Sequence, residues 1–151
     1  MTTMQRYVGV KLINAKPMSR QAYNDFRGWA LPANENGDDP GYLVEYIDGG
    51  IPNTKDFAGY VSWSPAEVFN NAYKPVTGMP FSQALEAVKA MKTITRAGWN
   101  GRGQFVFLIP GNTVEGQTLL PYLALSNVQG EIVPWLASQG DLLADDWIVE
   151  E

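Results

Sequence analysis

The sequence predicts an α+β fold, a small antiparallel sheet with helices packed on it, and three observations carry that expectation. Short runs rich in β-branched and aromatic residues, such as Tyr42-Leu-Val-Glu-Tyr-Ile47 and Arg102-Gly-Gln-Phe-Val-Phe-Leu-Ile109, are bounded by Gly, Pro, Asn or Asp. Between such runs lie stretches with helical spacing, among them Phe81, Leu85 and Val88. The dipeptide Asn100-Gly101 suits the positive φ angles of a two-residue turn, so residues 93–99 and 102–109 are expected to form a hairpin around it.

Taken in order, Tyr7–Ile13 reads as a strand, and Ser19 as the cap of a short helix through Phe26. Residues 32–41 form a polar loop before a strand at Tyr42–Ile47. After a second loop comes a short strand at Tyr60–Trp63, and Ser64-Pro65 opens a helix to Tyr73. Two prolines and a glycine in Lys74-Pro-Val-Thr-Gly-Met-Pro80 interrupt any regular element, which divides the chain into an N-terminal α+β module, residues 1–77, and a C-terminal domain, residues 78–151. In the latter, Ser82 is expected to cap a helix to Met91, and Tyr122–Leu125 to pair with Ile132–Trp135 around a turn at Asn127–Gly130. Ser138-Gln-Gly-Asp141 has the form of a capping box before a short helix, and Trp147–Val149 closes the sequence as a strand.

Composition narrows the chemistry. The chain has 151 residues, of which 45% are apolar, enough for a real core. It has neither cysteine nor histidine, which removes thiolate chemistry, the commonest general base and the commonest transition-metal ligands. No segment is long and apolar enough to cross a bilayer, and the first residues lack the pattern of a signal peptide, so a cytoplasmic protein is expected. The net charge of −5 disfavours a life on long nucleic acid. Residues 78–151 carry four bases against eight acids, yet Lys89, Lys92, Arg96 and Arg102 all fall in an acid-free stretch between Ala87 and Val114. A small anion would be drawn there; a solvated helix flank explains the same pattern.

Two groups of residues are suited to a ligand. A tight turn at Asn100-Gly101 would set Trp99 opposite Arg102 and Arg96 opposite Phe105, so that guanidinium groups and rings share one sheet surface. Rings stack on bases and arginine pairs two donors with a phosphate; alternatively the glycines serve only the turn and the tryptophan packs in the core. Trp135 with Ser138, Gln139 and Asp141 offers a second ring beside polar groups able to read a base or ribose, or else simply caps a helix. Asp141, Asp145 and Asp146, or Asp38, Asp39 and Asp48, would be the acids of a phosphodiesterase or glycosidic hydrolase, but no metal-loop or nucleophile motif accompanies them.

The segments Phe81-Ser-Gln-Ala-Leu-Glu-Ala-Val-Lys, Thr95-Arg-Ala-Gly-Trp-Asn-Gly-Arg-Gly-Gln-Phe, Pro121-Tyr-Leu-Ala-Leu and Val133-Pro-Trp-Leu-Ala-Ser-Gln-Gly-Asp-Leu-Leu stand in an order that resembles the Thoeris anti-defence protein 2 family of phages and prophages, over residues 79–151. The resemblance implies a homo-oligomer, a tetramer, in the host bacterial cytoplasm. It implies sequestration, without cleavage and without a cofactor, of a cyclic ADP-ribose isomer made by Thoeris enzymes, and in some members of cyclic oligonucleotides of the CBASS system. Carried onto this chain, it marks Arg96, Trp99, Asn100, Phe105, Trp135, Gln139 and Asp141 as ligand-binding positions, with no catalytic residue and no metal. Residues 1–77 have no counterpart in the minimal members and look like a module of other small phage proteins. The alternatives are the carboxylate hydrolase and a phage interaction or structural protein whose aromatics are core.

Overall fold

A computed structural model describes residues 1–150 and contains helices and antiparallel sheets, the α+β class expected. The chain divides into two units, Met1–Tyr73 and Lys74–Glu151.

In the first unit β1 (Ile13–Pro17), β2 (Gly41–Tyr46) and β3 (Tyr60–Pro65) form an antiparallel sheet in that order. Its register, Ala15 on Val44 and Leu43 on Trp63, turns Leu43 and Val61 into the core with Tyr23 of helix α1 (Arg20–Arg27). The Ser19 Oγ accepts from the Ala22 N–H, as expected of a cap, and Gly28 ends the helix in the left-handed region at φ 69°. Two expectations need correction. The first strand begins at Ile13 rather than Tyr7: Tyr7, Val8 and Val10 are exposed, because β2 offers partners only from Tyr46 back to Tyr42. Ser64 does not cap helix α2 (Ala66–Ala72); it pairs with Tyr42 inside β3, and its hydroxyl donates to the Pro65 carbonyl.

In the second unit helix α3 (Phe81–Lys89) packs on a five-stranded antiparallel sheet made of β4 (Thr93–Arg96), β5 (Phe105–Ile109), β8 (Tyr122–Ser126), β9 (Ile132–Pro134) and β10 (Trp147–Glu150), in the order β10-β4-β5-β8-β9. Pro80 rather than Ser82 occupies the N-cap, and Ala84 with Val88 forms the buried stripe. Because side chains alternate along a strand, the pairs Val149–Ile94, Ile94–Val106, Val106–Leu125 and Leu125–Val133 put one row on the α3 face. Phe105, Phe107, Ala124 and Ser126 fall on the other face. The β8–β9 pair forms as expected, its turn closed by Asn127, whose Oδ1 accepts from the Gln129 and Glu131 N–H groups. A short helix α4 (Gln139–Leu143) precedes β10.

The hairpin at Asn100-Gly101 differs from expectation. β4 and β5 do pair antiparallel, but they stop at Arg96 and start at Phe105, leaving residues 97–104 as the connection, and neither Asn100 nor Gly101 has positive φ. The tight turn of that type lies instead between β6 (Asn112–Val114) and β7 (Gln117–Leu119), where Glu115 at φ 49° and Gly116 at φ 76° carry it.

Candidate functional site

The cause of the wide β4–β5 connection is also the centre of the site. The Ala97 N–H donates to the Asp146 carbonyl at 3.1 Å and the Gly98 N–H to Asp146 Oδ2 at 2.7 Å, so the chain leaves the β4–β5 ladder for β10 before it reaches Asn100. Gly98 suits that approach, since a Cβ there would stand 2.7 Å from Asp146 Oδ2 and would make the carboxylate or the connection shift. The pairing of Ile94 with Val106 also shifts the register by one residue from that of a tight turn. Arg96 and Phe105 are therefore on opposite faces of the sheet, not on one surface, since a slip of one reverses every side chain.

On the α3 face Arg96 is held between two carboxylates. Its Nε donates to Asp146 Oδ1 at 2.7 Å and its Nη1 to Asp141 Oδ1 at 2.9 Å. Asp141 Oδ1 also accepts from Trp99 Nε1 at 3.0 Å, while Oδ2 accepts from the Ser138 hydroxyl and main-chain N–H in the expected capping box. All four acceptor positions of Asp141 are thereby used. Burial alone would raise the Asp141 carboxyl, but donation by Trp99, Arg96 and Ser138 outweighs it and holds the group below the ordinary carboxylate range. Asp146 is likewise lowered, chiefly by Arg96, and the two acids raise Arg96 in return.

Behind this network Trp147, 0% exposed, is the hub of an aromatic cluster. Trp99 meets it edge-on at 5.4 Å between centroids, Trp135 edge-on at 5.9 Å, and Phe81 tilted at 5.4 Å. The Trp147 Nε1 donates to the Asp141 carbonyl at 2.9 Å, tying the first turn of α4 to the hub.

Of the seven positions marked from the sequence, Arg96, Trp99 and Asp141 are joined by hydrogen bonds, and Trp135 adds its half-buried ring through Trp147. Gln139 is exposed in the first turn of α4, and Asn100 is exposed in the 97–104 connection. Phe105 lies apart, on the far face of the sheet, beside Phe107 at 5.7 Å. Sequence reasoning gave Asp146 only a weak hydrolytic reading and Trp147 only a strand, although Asp146 shapes the connection and Trp147 orders the rings. The acids Asp141 and Asp146 turn to Arg96 rather than to a shared metal-holding space, and among the described residues no group of three or more acids stands together as ligands. No helix is long and apolar enough to cross a membrane, again among the described residues.

Comparison with protein families picks out this unit. Residues 79–150 match the family described as the Thoeris anti-defense 2-like domain. The chain is 30% identical over 83 residues to the Thoeris anti-defense 2 protein of Bacillus phage SP01, an alignment that covers 47% of this chain and 93% of the phage protein.

Proposed function

The chain belongs to the Thoeris anti-defense 2-like family, and from that premise we propose that it serves phage anti-defence by binding a cyclic nucleotide immune signal and holding it unchanged. The observation that carries this reading is the coincidence of the family match, residues 79–150, with the unit that contains every one of the seven marked positions. The ligand in this reading is a cyclic ADP-ribose isomer of the Thoeris pathway, with CBASS cyclic oligonucleotides as further guests. The site of action is the host bacterial cytoplasm.

The geometry supports a division of labour. Asp141 spends both oxygens on Arg96, Trp99 and Ser138, and Arg96 is paired with two carboxylates, so in this reading they act as the frame of the 97–104 connection and the first turn of α4. In this reading the solvent-facing groups meet the ligand: the exposed Asn100 and Gln139 and the half-buried Trp135, together with Arg102, which is exposed and has no carboxylate within salt-bridge distance among the described residues. An exposed arginine pairs with phosphate through two donors, and an indole stacks on a base. Phe105 contributes through a neighbouring copy in this reading. The exposed Ile132, Leu136, Leu142 and Leu143, at and after edge strand β9, supply apolar surface for a homo-oligomer, a tetramer on the family's pattern.

The test is calorimetric titration of the full chain with a panel of cyclic ADP-ribose isomers and cyclic dinucleotides. At least one binds with submicromolar affinity, and Arg102→Gln and Asn100→Ala each weaken it tenfold or more without lowering the melting temperature. Failure of every compound to bind or to raise the melting temperature would refute the reading.

A further inference from the structure

The N-terminal unit, outside the family match, contains a cleft of about 580 Å³ between α1, the segment that follows it and β3. That volume lies within the range of small-molecule sites. Two arginines stand in its wall, each stacked on a tryptophan: Arg20 Cζ is 4.4 Å from the centre of the Trp63 ring, and Arg27 Cζ is 4.3 Å from that of Trp29. Their charges are answered differently. Arg20 is paired with Glu35 at 3.3 Å and Asp39 at 3.2 Å, whereas Arg27 has no carboxylate within salt-bridge distance among the described residues. Among the described residues its polar side-chain partner is the Tyr23 hydroxyl, to which Nη1 donates at 3.0 Å.

Arg27 is also held in place. Tyr23 is buried in the core with Leu43 and Val61, so the hydroxyl that orients the guanidinium is anchored. Gly28, in the left-handed region, turns the chain so that the Trp29 N–H donates to the Asn24 carbonyl at 2.8 Å, which sets the indole edge-on to Tyr23 at 6.0 Å. A cation oriented by a stacked ring loses little freedom when it takes up a partner, and a guanidinium suits phosphate. Two large rings remain open to solvent on the cleft, Trp29 at 52% and Tyr60 at 45% exposure. The Glu35 carboxylate, 36% exposed at the same rim, is an acceptor for sugar hydroxyls.

The geometry points to this cleft as a second ligand site, one that takes a nucleoside monophosphate or a nucleotide fragment of that size, with phosphate on Arg27, base against Trp29 or Tyr60, and ribose toward Glu35. It stands independently of what the C-terminal unit binds.

The experiment is a nuclear magnetic resonance titration of the labelled full chain with AMP, GMP, CMP and UMP, and separately with adenosine and inorganic phosphate. At least one monophosphate shifts the Trp29 indole and Arg27 side-chain signals, and its nucleoside or phosphate alone binds tenfold more weakly or worse. Arg27→Gln weakens the monophosphate tenfold or more. Trp29→Leu, a change at an exposed ring, weakens it about fivefold and keeps the folded spectrum, on the strength of stacking. Absence of shifts with all four monophosphates at millimolar concentration overturns the inference. So do shifts confined to residues 74–150, equal binding of nucleoside and monophosphate, or wild-type affinity in both variants.

Discussion

Arginine and tryptophan come together in both units of this chain, and the difference lies in what answers the charge. In the C-terminal corner Arg96 and Trp99 donate to the same oxygen of Asp141, and Asp146 takes the other side of the guanidinium. In the N-terminal cleft Arg27 lies over Trp29 and donates to the Tyr23 hydroxyl, with no carboxylate within salt-bridge distance among the described residues. The first arrangement is closed by charge: two carboxylates answer one guanidinium, and the network ties together chain segments distant in sequence. The second leaves a positioned cation for something the chain does not supply. Residue types alone would assign both the same role.

The contrast can be broken most severely at the aromatic hub. Trp147→Ala should cost about 3 to 5 kcal/mol, the range for a fully buried large aromatic, whereas Trp29→Leu should leave chemical unfolding nearly unchanged. Equal losses would mean that the exposed indole is structural after all. Next in size is Arg96→Met, which strands two partly buried carboxylates. Full burial of such a pair would cost about 3 to 5 kcal/mol, and the partial exposure of this one reduces the expected loss to roughly 2 kcal/mol. Urea titration read by tryptophan fluorescence measures it, and Arg27→Met should shift the midpoint far less. Gly98→Ala comes third: the added methyl cannot share space with Asp146 Oδ2, so the carboxylate or the connection must shift, at about 1 to 2 kcal/mol. A neutral result would show that the Gly98 contact does not hold the 97–104 connection.

The smallest effect is with pH. Asp141 and Asp146 have carboxyls lowered in the folded state, so the stability they contribute is complete above the unfolded carboxylate range near pH 4 and is lost as pH falls through their lower folded values. Asp48, lowered by Lys11, and Glu45, lowered by Asn14, lose stabilisation in the same direction. The discriminating quantity is therefore the difference between variants. Arg96→Met should flatten the fall in melting temperature between pH 5 and acid, and Arg27→Met should leave its slope as in the wild type.

How much of this was legible in the sequence follows from the range of the interactions. Ser19 and the pair Ser138–Asp141 declared their caps because a cap is settled within three residues. The turn at Asn127–Gly130 is equally local. Asn100-Gly101 misled because a carboxylate at Asp146 captures the backbone at Gly98, a contact between residues far apart that no dipeptide rule contains. The same distance hid the role of Arg96, whose acid-free neighbourhood in sequence becomes a carboxylate pair in space. Glu115-Gly116 carried a weaker turn signal, and the hairpin of β6 and β7 went unforeseen between runs too short to read as strands. In the N-terminal unit no motif linked Arg27 and Trp29 to Tyr60; only the fold brings α1 beside β3.

The sharpest test of retention without cleavage is to saturate the full chain with a cyclic ADP-ribose isomer, remove what stays free, heat-denature the complex and weigh the released compound. The released mass should equal that of the intact ring, in amounts that do not fall with incubation time. A mass increased by one water, accumulating as the incubation lengthens, would contradict it.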